Sequence, residues 1–296
     1  LGIGDDCALL DVPFGEQLAI STDTLVAGVH FADPCDPFLL GQRSLAVAAS
    51  DLAAMGATPL AFTLALTLPT VHTDWLQAFA RGLNQMAVAC NLRLIGGDTT
   101  RGPLCLTLTV FGRVPSGRAL TRSGAQAGDV LCVGGELGNA AGALPLVLGQ
   151  RSAESFIAQP LLAHYWSPQP QLALGQALRG KATSALDISD GLLADCGHIA
   201  LASQVRLLID RDRVPVSLAL EEFLGSAGAQ QAALSGGDDY VLAFTLPERD
   251  VPTLQADGWP IHVIGRVVEG QGVGLLDADG QDITPAIRGY QHFHGI

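Results

Sequence analysis

Acidic residues recur in this chain beside Gly, Ser and Thr. They are read at strand ends or loop mouths, in "GDDC" (Asp5, Asp6), "STDT" (Ser21, Thr22, Asp23), "GGDTT" (Gly96, Gly97, Asp98), "LDISDG" (Asp187, Ser189, Asp190) and "SGGDDY" (Asp238, Asp239). One such cluster is commonplace, because Gly and Asp favour turns. Five in one chain invite a second reading. Carboxylates and hydroxyls are ligands for hard cations, and glycine lets backbone N–H groups come close to an anion. Together they suit a metal–phosphate ligand. Asp51 sharpens the choice. It stands in "LAVAASDLAAMG", an apolar helical stretch without lysine, where an unpaired carboxylate is costly. Either it lies on a narrow solvent stripe or a cation faces it.

Phosphate chemistry here would have to work without the usual lysine. No GxxxxGK[ST] occurs, and no GxGxxG follows a strand to open a helix. Lys181 is the one lysine against fifteen arginines. Arg118 and Arg122, in "GRALTRSG", are the candidate arginines. Ser189 and Asp190 precede a helical stretch whose free N–H groups and dipole suit a phosphate oxygen. The same two residues would also serve as plain caps. A Ser-His-Asp triad lacks its GxSxG elbow. His198 reads as packed inside a helix. His30 follows the Asp23 segment closely, and either faces the same cleft or is structural.

The elements that must position these groups follow from the apolar pattern. "QLAISTDTL" reads as a strand ending in polar residues. Phe38 to Met55 reads as a helix stopped by Gly56. "AFTLALTL" alternates strictly, with Phe62, Leu64, Leu66 and Leu68 on one face and Thr63, Ala65 and Thr67 on the other. Thr73 to Cys90 reads as a helix with Thr73 as N-cap, and "LRLI" and "LCLTLTVFG" as strands. Helices on one face of a largely antiparallel sheet imply an α+β class. The polar, Gly-rich stretch "VPSGRALTRSGAQAG" places a domain boundary, giving 1–113 and 114–296. In the second part "DVLCVGG", "TSALDIS", "VRLLID", "DYVLAFTL" and "IHVIGRVV" read as strands. Helices are read over 138–148, 170–178 and 192–202.

Bulk properties narrow the function classes. The 296 residues carry a net charge of −13, which leaves no basic footprint for nucleic acid. The longest weakly polar run, Leu52 to Leu68, is interrupted by Gly56 and Pro59 and is too short to span a bilayer. No signal-peptide pattern is read, and the chain starts without Met. The six cysteines are scattered without a CxxC pair. That argues against zinc and reads as reduced thiols in a cytoplasmic protein.

"GIGDDCALL", "STDTLVAGVHF", "SDLAAMGATP", "GGDTTRGP", "ALTRSGAQAGD", "LDISDGLLADCGHIA", "SGGDDYVLAFT", "IGRV" and "GYQHF" together resemble the bacterial thiamine-monophosphate kinase family. Its ATP-binding superfamily also holds aminoimidazole ribotide synthetase and selenophosphate synthetase. The resemblance spans nearly the whole chain. It implies transfer of the γ-phosphoryl of ATP to thiamine monophosphate, with several Mg²⁺ ions. It also implies two α/β-type domains: an N-terminal mixed sheet with helices on one face that pairs in a homodimer, and a sandwich-like C-terminal domain completing the cleft. Carried over residue by residue, Asp6, Ser21, Thr22, Asp23, Asp51, Asp98, Asp187 and Asp190 match metal positions. Gly96, Gly97, Asp98, Arg122 and Ser189 match nucleotide contacts, and His30, Asp238 and Tyr290 match substrate positions. The family has Glu where this chain has Asp238, and a leading segment ahead of "LGIGDD". Two other readings stay open: a sister ATP-dependent synthetase, and a metal-binding scaffold without catalysis.

Overall fold

A computed structural model of the chain describes residues 7–286 and 289–290. Asp5 and Asp6 therefore lie outside the described residues. The chain divides into two compact units. One comprises residues 1–119 and 166–172, the other 120–165 and 173–296.

In the first unit, β1 (Glu16–Val26), β2 (Thr58–Leu68), β3 (Arg93–Arg101) and β4 (Cys105–Pro115) form a sheet in the order β1-β4-β2-β3. β4 runs antiparallel to β1 and β2, while β2 and β3 are parallel. A parallel neighbour needs a crossover, and α2 (Thr73–Ala89) supplies it. β4 alternates strictly between buried and half-buried positions. Its inner row, Leu106, Leu108 and Val110, shares a core with Phe62 and Leu66 of β2 and with Leu45, Ala49 and Leu52 of α1 (Pro37–Ala54). The alternation expected for "AFTLALTL" holds: Phe62, Leu66 and Leu68 are buried and Ala65 is exposed.

Local signals fix the helix ends. Asp36 caps α1 by accepting the Phe38 N–H at 2.8 Å, with Pro37 opening the helix. Gly56 follows α1 at φ 63°, a left-handed value that ends a helix cheaply only with glycine. Thr73, expected as the cap of α2, is instead its first helical residue. His72 holds the extended cap conformation and makes no side-chain cap bond. α1 and α2 meet backbone to backbone: a Cβ on Gly82 would lie 1.8 Å from the Phe38 carbonyl oxygen.

The second unit carries β5 (Asp129–Val133), β6 (Ser184–Asp187), β7 (Arg206–Asp210), β8 (Leu242–Pro247), β9 (His262–Val268) and β10 (Gly272–Leu276). They form a sheet in the order β10-β7-β9-β5-β8-β6, mixed through the parallel pair β10–β7. β5 and β8 read as continuous apolar runs, and they lie at central positions, buried along nearly their whole length. α6 (Leu192–Ser203) packs on the sheet through Leu192, Leu193, Cys196 and Ile199.

Two sequence expectations change here. "STDT" and "GGDTT" do not end their strands but lie within β1 and β3. α3 (Asn139–Val147) and α5 (Leu172–Leu178) form where helices were read, while α4 (Ser155–Trp166), α7 (Leu218–Ser235), α8 (Val251–Ala256) and β10 form where no element was read. α4 contains Pro160, and α7 is kinked at Gly225, φ 73°, so neither presents a clean apolar stripe.

Candidate active site

In the first unit the acids are positioned by β1 and α1. Ser21 and Asp23 are half-buried and alternate with the exposed Thr22 and Thr24. The β1–β4 register sets Ser21 opposite Val110 and Asp23 opposite Leu108. Ser21 and Asp23 therefore share the buried row of β4, the face that meets α1. Asp51 of α1 approaches that face, and the Ser21 hydroxyl donates a hydrogen bond to its Oδ2. Asp51 is half-buried and stands with the Ser21 hydroxyl in a set of oxygen donors. Hydroxyl and carboxylate oxygens are the ligands a hard cation takes, so the residues fit Mg²⁺ by donor type.

Thr22 faces the other way. Its hydroxyl pairs with that of Thr109 at 2.9 Å, and Thr24 pairs with Thr107 at 2.9 Å. His30 sits in the turn after β1. Its Nδ1 accepts the Val26 N–H at 3.0 Å, which leaves the proton of the neutral ring on Nε2. Gly96, Gly97 and Asp98 lie opposite Thr63, Leu64 and Ala65 on β3. Gly97 has φ 151°, and a Cβ there would stand 1.9 Å from the Leu64 carbonyl oxygen. Glycine is needed at this point so that Asp98, exposed on the edge strand, is presented in this register.

Asp23 and Asp98 are thus on opposite edges of one sheet. Three strand spacings of about 4.8 Å separate β1 from β3 by roughly 14 Å. Among the described residues, no three His, Cys, Asp or Glu come together as a metal-holding group. One copy of the chain brings Ser21 and Asp51 together, with Asp23 on the same face, and keeps Asp98 apart from them.

In the second unit Asp187 ends β6, and Ser189, Asp190 and Gly191 lead into α6. The free N–H groups read at this helix start belong to its first turn, which begins at Leu192. Ahead of it, the N–H groups of Ser189, Asp190 and Gly191 all donate to Oδ2 of Asp195, at 3.0, 3.0 and 3.1 Å. Burial pushes the Asp195 carboxyl up to about 6, against the opposing pull of these three bonds. Sequence reading missed Asp195. Its signal was an acid four residues after the capping Gly191, placed to reach back. Ser203 was missed as well. Its hydroxyl accepts from Gly124 and Ala125 N–H and donates to the Arg122 carbonyl, each at 3.1 Å. It fixes the loop that carries the exposed Arg122 side chain.

Asp238 has φ 67°, uncommon for a residue with a side chain, and its N–H donates to Ser189 O at 2.8 Å. Beside it Asp239 is buried, accepts the Gly138 N–H at 2.8 Å through Oδ1, and has no partner for Oδ2. Burial raises its carboxyl well above the ordinary range. Tyr290 is half-exposed, and its N–H donates to Asp190 O at 2.9 Å. Lys181 is paired with Asp257 at 3.8 Å, while Arg118 is exposed. His198 was expected to be packed but lies exposed on α6.

Comparisons with known proteins give the chain its family. Residues 4–114 match the family "AIR synthase related protein, N-terminal domain", and residues 126–277 match its C-terminal domain. The thiamine-monophosphate kinase of Escherichia coli K12 is 46% identical over 299 aligned residues, covering 99% of this chain and 92% of its own length. The crystal structure of the thiamine-monophosphate kinase from Stenotrophomonas maltophilia superposes with a TM-score of 0.88 at 45% identity, covering 95% of this chain and 91% of that one. A ThiL structure complexed with AMPPCP and TMP gives a TM-score of 0.86 at 29% identity, covering 99% and 92%. The chain belongs to the thiamine-monophosphate kinases of the AIR synthase related family.

Proposed function

We propose that this chain transfers the γ-phosphoryl group of ATP to the phosphate of thiamine monophosphate, giving thiamine diphosphate and ADP. The likeness to a relative that holds both an ATP analogue and TMP, over 99% of this chain, carries the reading. The acceptor is a phosphate monoester with a second pKa of about 6, so it arrives as an anion and needs no general base. The difficulty is to hold two polyanions together, which is a matter of positioning and charge neutralisation. The chain's one lysine is engaged with Asp257, which leaves the exposed candidate arginines Arg118 and Arg122.

In this reading Asp6, Ser21, Thr22, Asp23, Asp51, Asp98, Asp187 and Asp190 hold Mg²⁺, which when bound neutralises phosphate charge. Gly96, Gly97, Asp98, Arg122 and Ser189 receive ATP, and His30, Asp238 and Tyr290 receive thiamine monophosphate. Since the Thr22 hydroxyl is taken by Thr109, its part falls to the main-chain carbonyl. Residues 1–113 carry the cation and self-pairing functions, and 114–296 complete the site. The six free thiols fit the cytoplasm. Among the described residues, no helix is long and apolar enough to cross a membrane.

The working unit in this reading is a homodimer. The outer face of the first sheet exposes Ile20 (58%) and Leu18 (36%) of β1, beside the threonine rows of β1 and β4. In this reading the two sheets meet with β3 of one copy next to β1 of the other, an arrangement that would close the gap that keeps Asp98 from Asp23 within one copy.

Incubation with ATP, Mg²⁺ and thiamine monophosphate tests the function. Stoichiometric thiamine diphosphate and ADP are expected. ATP consumption with aminoimidazole ribotide's precursor or selenide alone would assign a sister synthetase, and no turnover with any of them would leave a scaffold.

A further inference from the structure

We propose that Asp195 is a positioning residue for this phosphoryl transfer, holding a loop that ties the nucleotide-side residues to the substrate-side residues. The inference rests on the kinase reading above for the roles of those residues. It rests on geometry for the tie itself.

The loop is Ile188–Gly191. On its donor side, three consecutive N–H groups converge on the single oxygen Oδ2 of Asp195, at 3.0 to 3.1 Å. An ordinary cap satisfies donors of its own helix's first turn. Here Gly191 is the cap position, and the other two donors lie ahead of the helix. The acid therefore orders the loop as well as the helix start. Asp195 is 4% exposed. A carboxylate buried that far is costly unless hydrogen-bonded, and these three bonds are its compensation.

On its acceptor side, the same loop is bonded at three consecutive carbonyls. Ile188 O accepts from Tyr240 N–H at 2.8 Å, Ser189 O from Asp238 N–H at 2.8 Å, and Asp190 O from Tyr290 N–H at 2.9 Å. Two glycines make these approaches possible. A Cβ on Gly237 would lie 2.5 Å from Ser189 O, and one on Gly289 would lie 2.4 Å from Asp190 O. Asp238 and Tyr240 both hold positive φ, 67° and 53°, a strained backbone that persists only where the surroundings over-determine it. The ligand-bearing side chains of Ser189, Asp190, Asp238 and Tyr290 thus hang from one hydrogen-bonded backbone unit, with Asp195 as its side-chain anchor.

The tie makes a specific prediction. Losing the anchor moves both substrates' binding together. Steady-state kinetics of the full chain should show Asp195→Ala raising KM for ATP and for thiamine monophosphate by tenfold or more each, with kcat reduced. Asp195→Asn keeps an acceptor oxygen and should fall between wild type and Ala for both constants. Amide hydrogen exchange of the substrate-free protein supplies a readout independent of activity. In Asp195→Asn, exchange should speed up at residues 189–191 and at Asp238, Tyr240 and Tyr290 together.

A merely structural role lowers Tm but leaves both KM values at wild type while the protein is folded. That result overturns the proposal, as does a rise in one KM alone. If Asp195→Ala does not fold, Asp195→Asn decides by the same criteria. If the wild-type chain makes no thiamine diphosphate, the kinase reading falls by itself, and exchange decides the tie: acceleration confined to 189–191 overturns it, and joint acceleration supports it.

Discussion

Asp51 and Asp239 are both acids set among apolar neighbours, and their surroundings give them different work. Asp51 receives the Ser21 hydroxyl on a face it shares with Asp23, and in the proposed reading its charge is presented to a cation. Asp51→Asn should lower kcat by about 100-fold, on the order of 2.7 kcal/mol of transition-state stabilisation, with Tm kept or raised. Wild-type kcat in a folded Asp51→Asn protein contradicts its role. Asp239 presents no such face. One oxygen holds Gly138 N–H, the other has no partner, and burial keeps its carboxyl protonated well above the usual range. The folded protein therefore retains a proton that the unfolded chain has lost above pH about 3.9. The stability this brings is present below that pH and is lost as pH rises toward the folded value. Asp239→Asn removes the dependence. In urea titrations from pH 4 to 7, the variant should gain on wild type as pH rises, and a constant gap contradicts the assignment.

At the scale of elements, helices α1 and α2 and the strands around them were legible from alternation and from one stop signal. Gly56 closes α1, and Phe62, Leu66 and Leu68 declare the inner face of β2, while the cap of α2 was misplaced by one residue at Thr73. The site was legible as a set of acid–glycine clusters, with Asp51 marked by its apolar company. What could not be read was register. "GGDTT" looked like a strand end because its glycines suggest a turn, yet Gly97 is there to let β3 pass the Leu64 carbonyl within the strand. Asp195 was missed because its partners are backbone groups, so its spacing from Gly191 was the one trace it left. Helices α4 and α7 were hidden by Pro160 and Gly225. The α1–α2 contact gives a test at this scale. An alanine gains about 1 kcal/mol over glycine in a helix by propensity, but the added Cβ at Gly82 would meet the Phe38 carbonyl oxygen at 1.8 Å. Overpacking of this kind costs about 1 to 3 kcal/mol or more. Gly82→Ala should therefore lower stability in thermal or urea denaturation, and a stabilised variant would show that the helices part freely.

For the whole molecule, a charge of −13 meets two negatively charged substrates, and in the proposed reading cations held by oxygen ligands reconcile them. The ligands proposed in the first unit stand on opposite edges of its sheet, Asp23 on β1 and Asp98 on β3. A single copy cannot close roughly 14 Å around one shared ion whose ligands sit about 2.1 Å away. The proposed homodimer, with β3 of one copy beside β1 of the other, would close it. Subunit complementation tests this most directly. Asp23→Asn and Asp98→Asn chains are prepared separately, each expected to be inactive, then mixed, dissociated and reassociated. If each site draws Asp23 from one copy and Asp98 from the other, every mixed dimer regains one intact site, and thiamine diphosphate formation returns to about a quarter of wild type at equal mixing. If both acids serve within one copy, every site in the mixture still lacks a ligand, and activity stays at the level of the single variants.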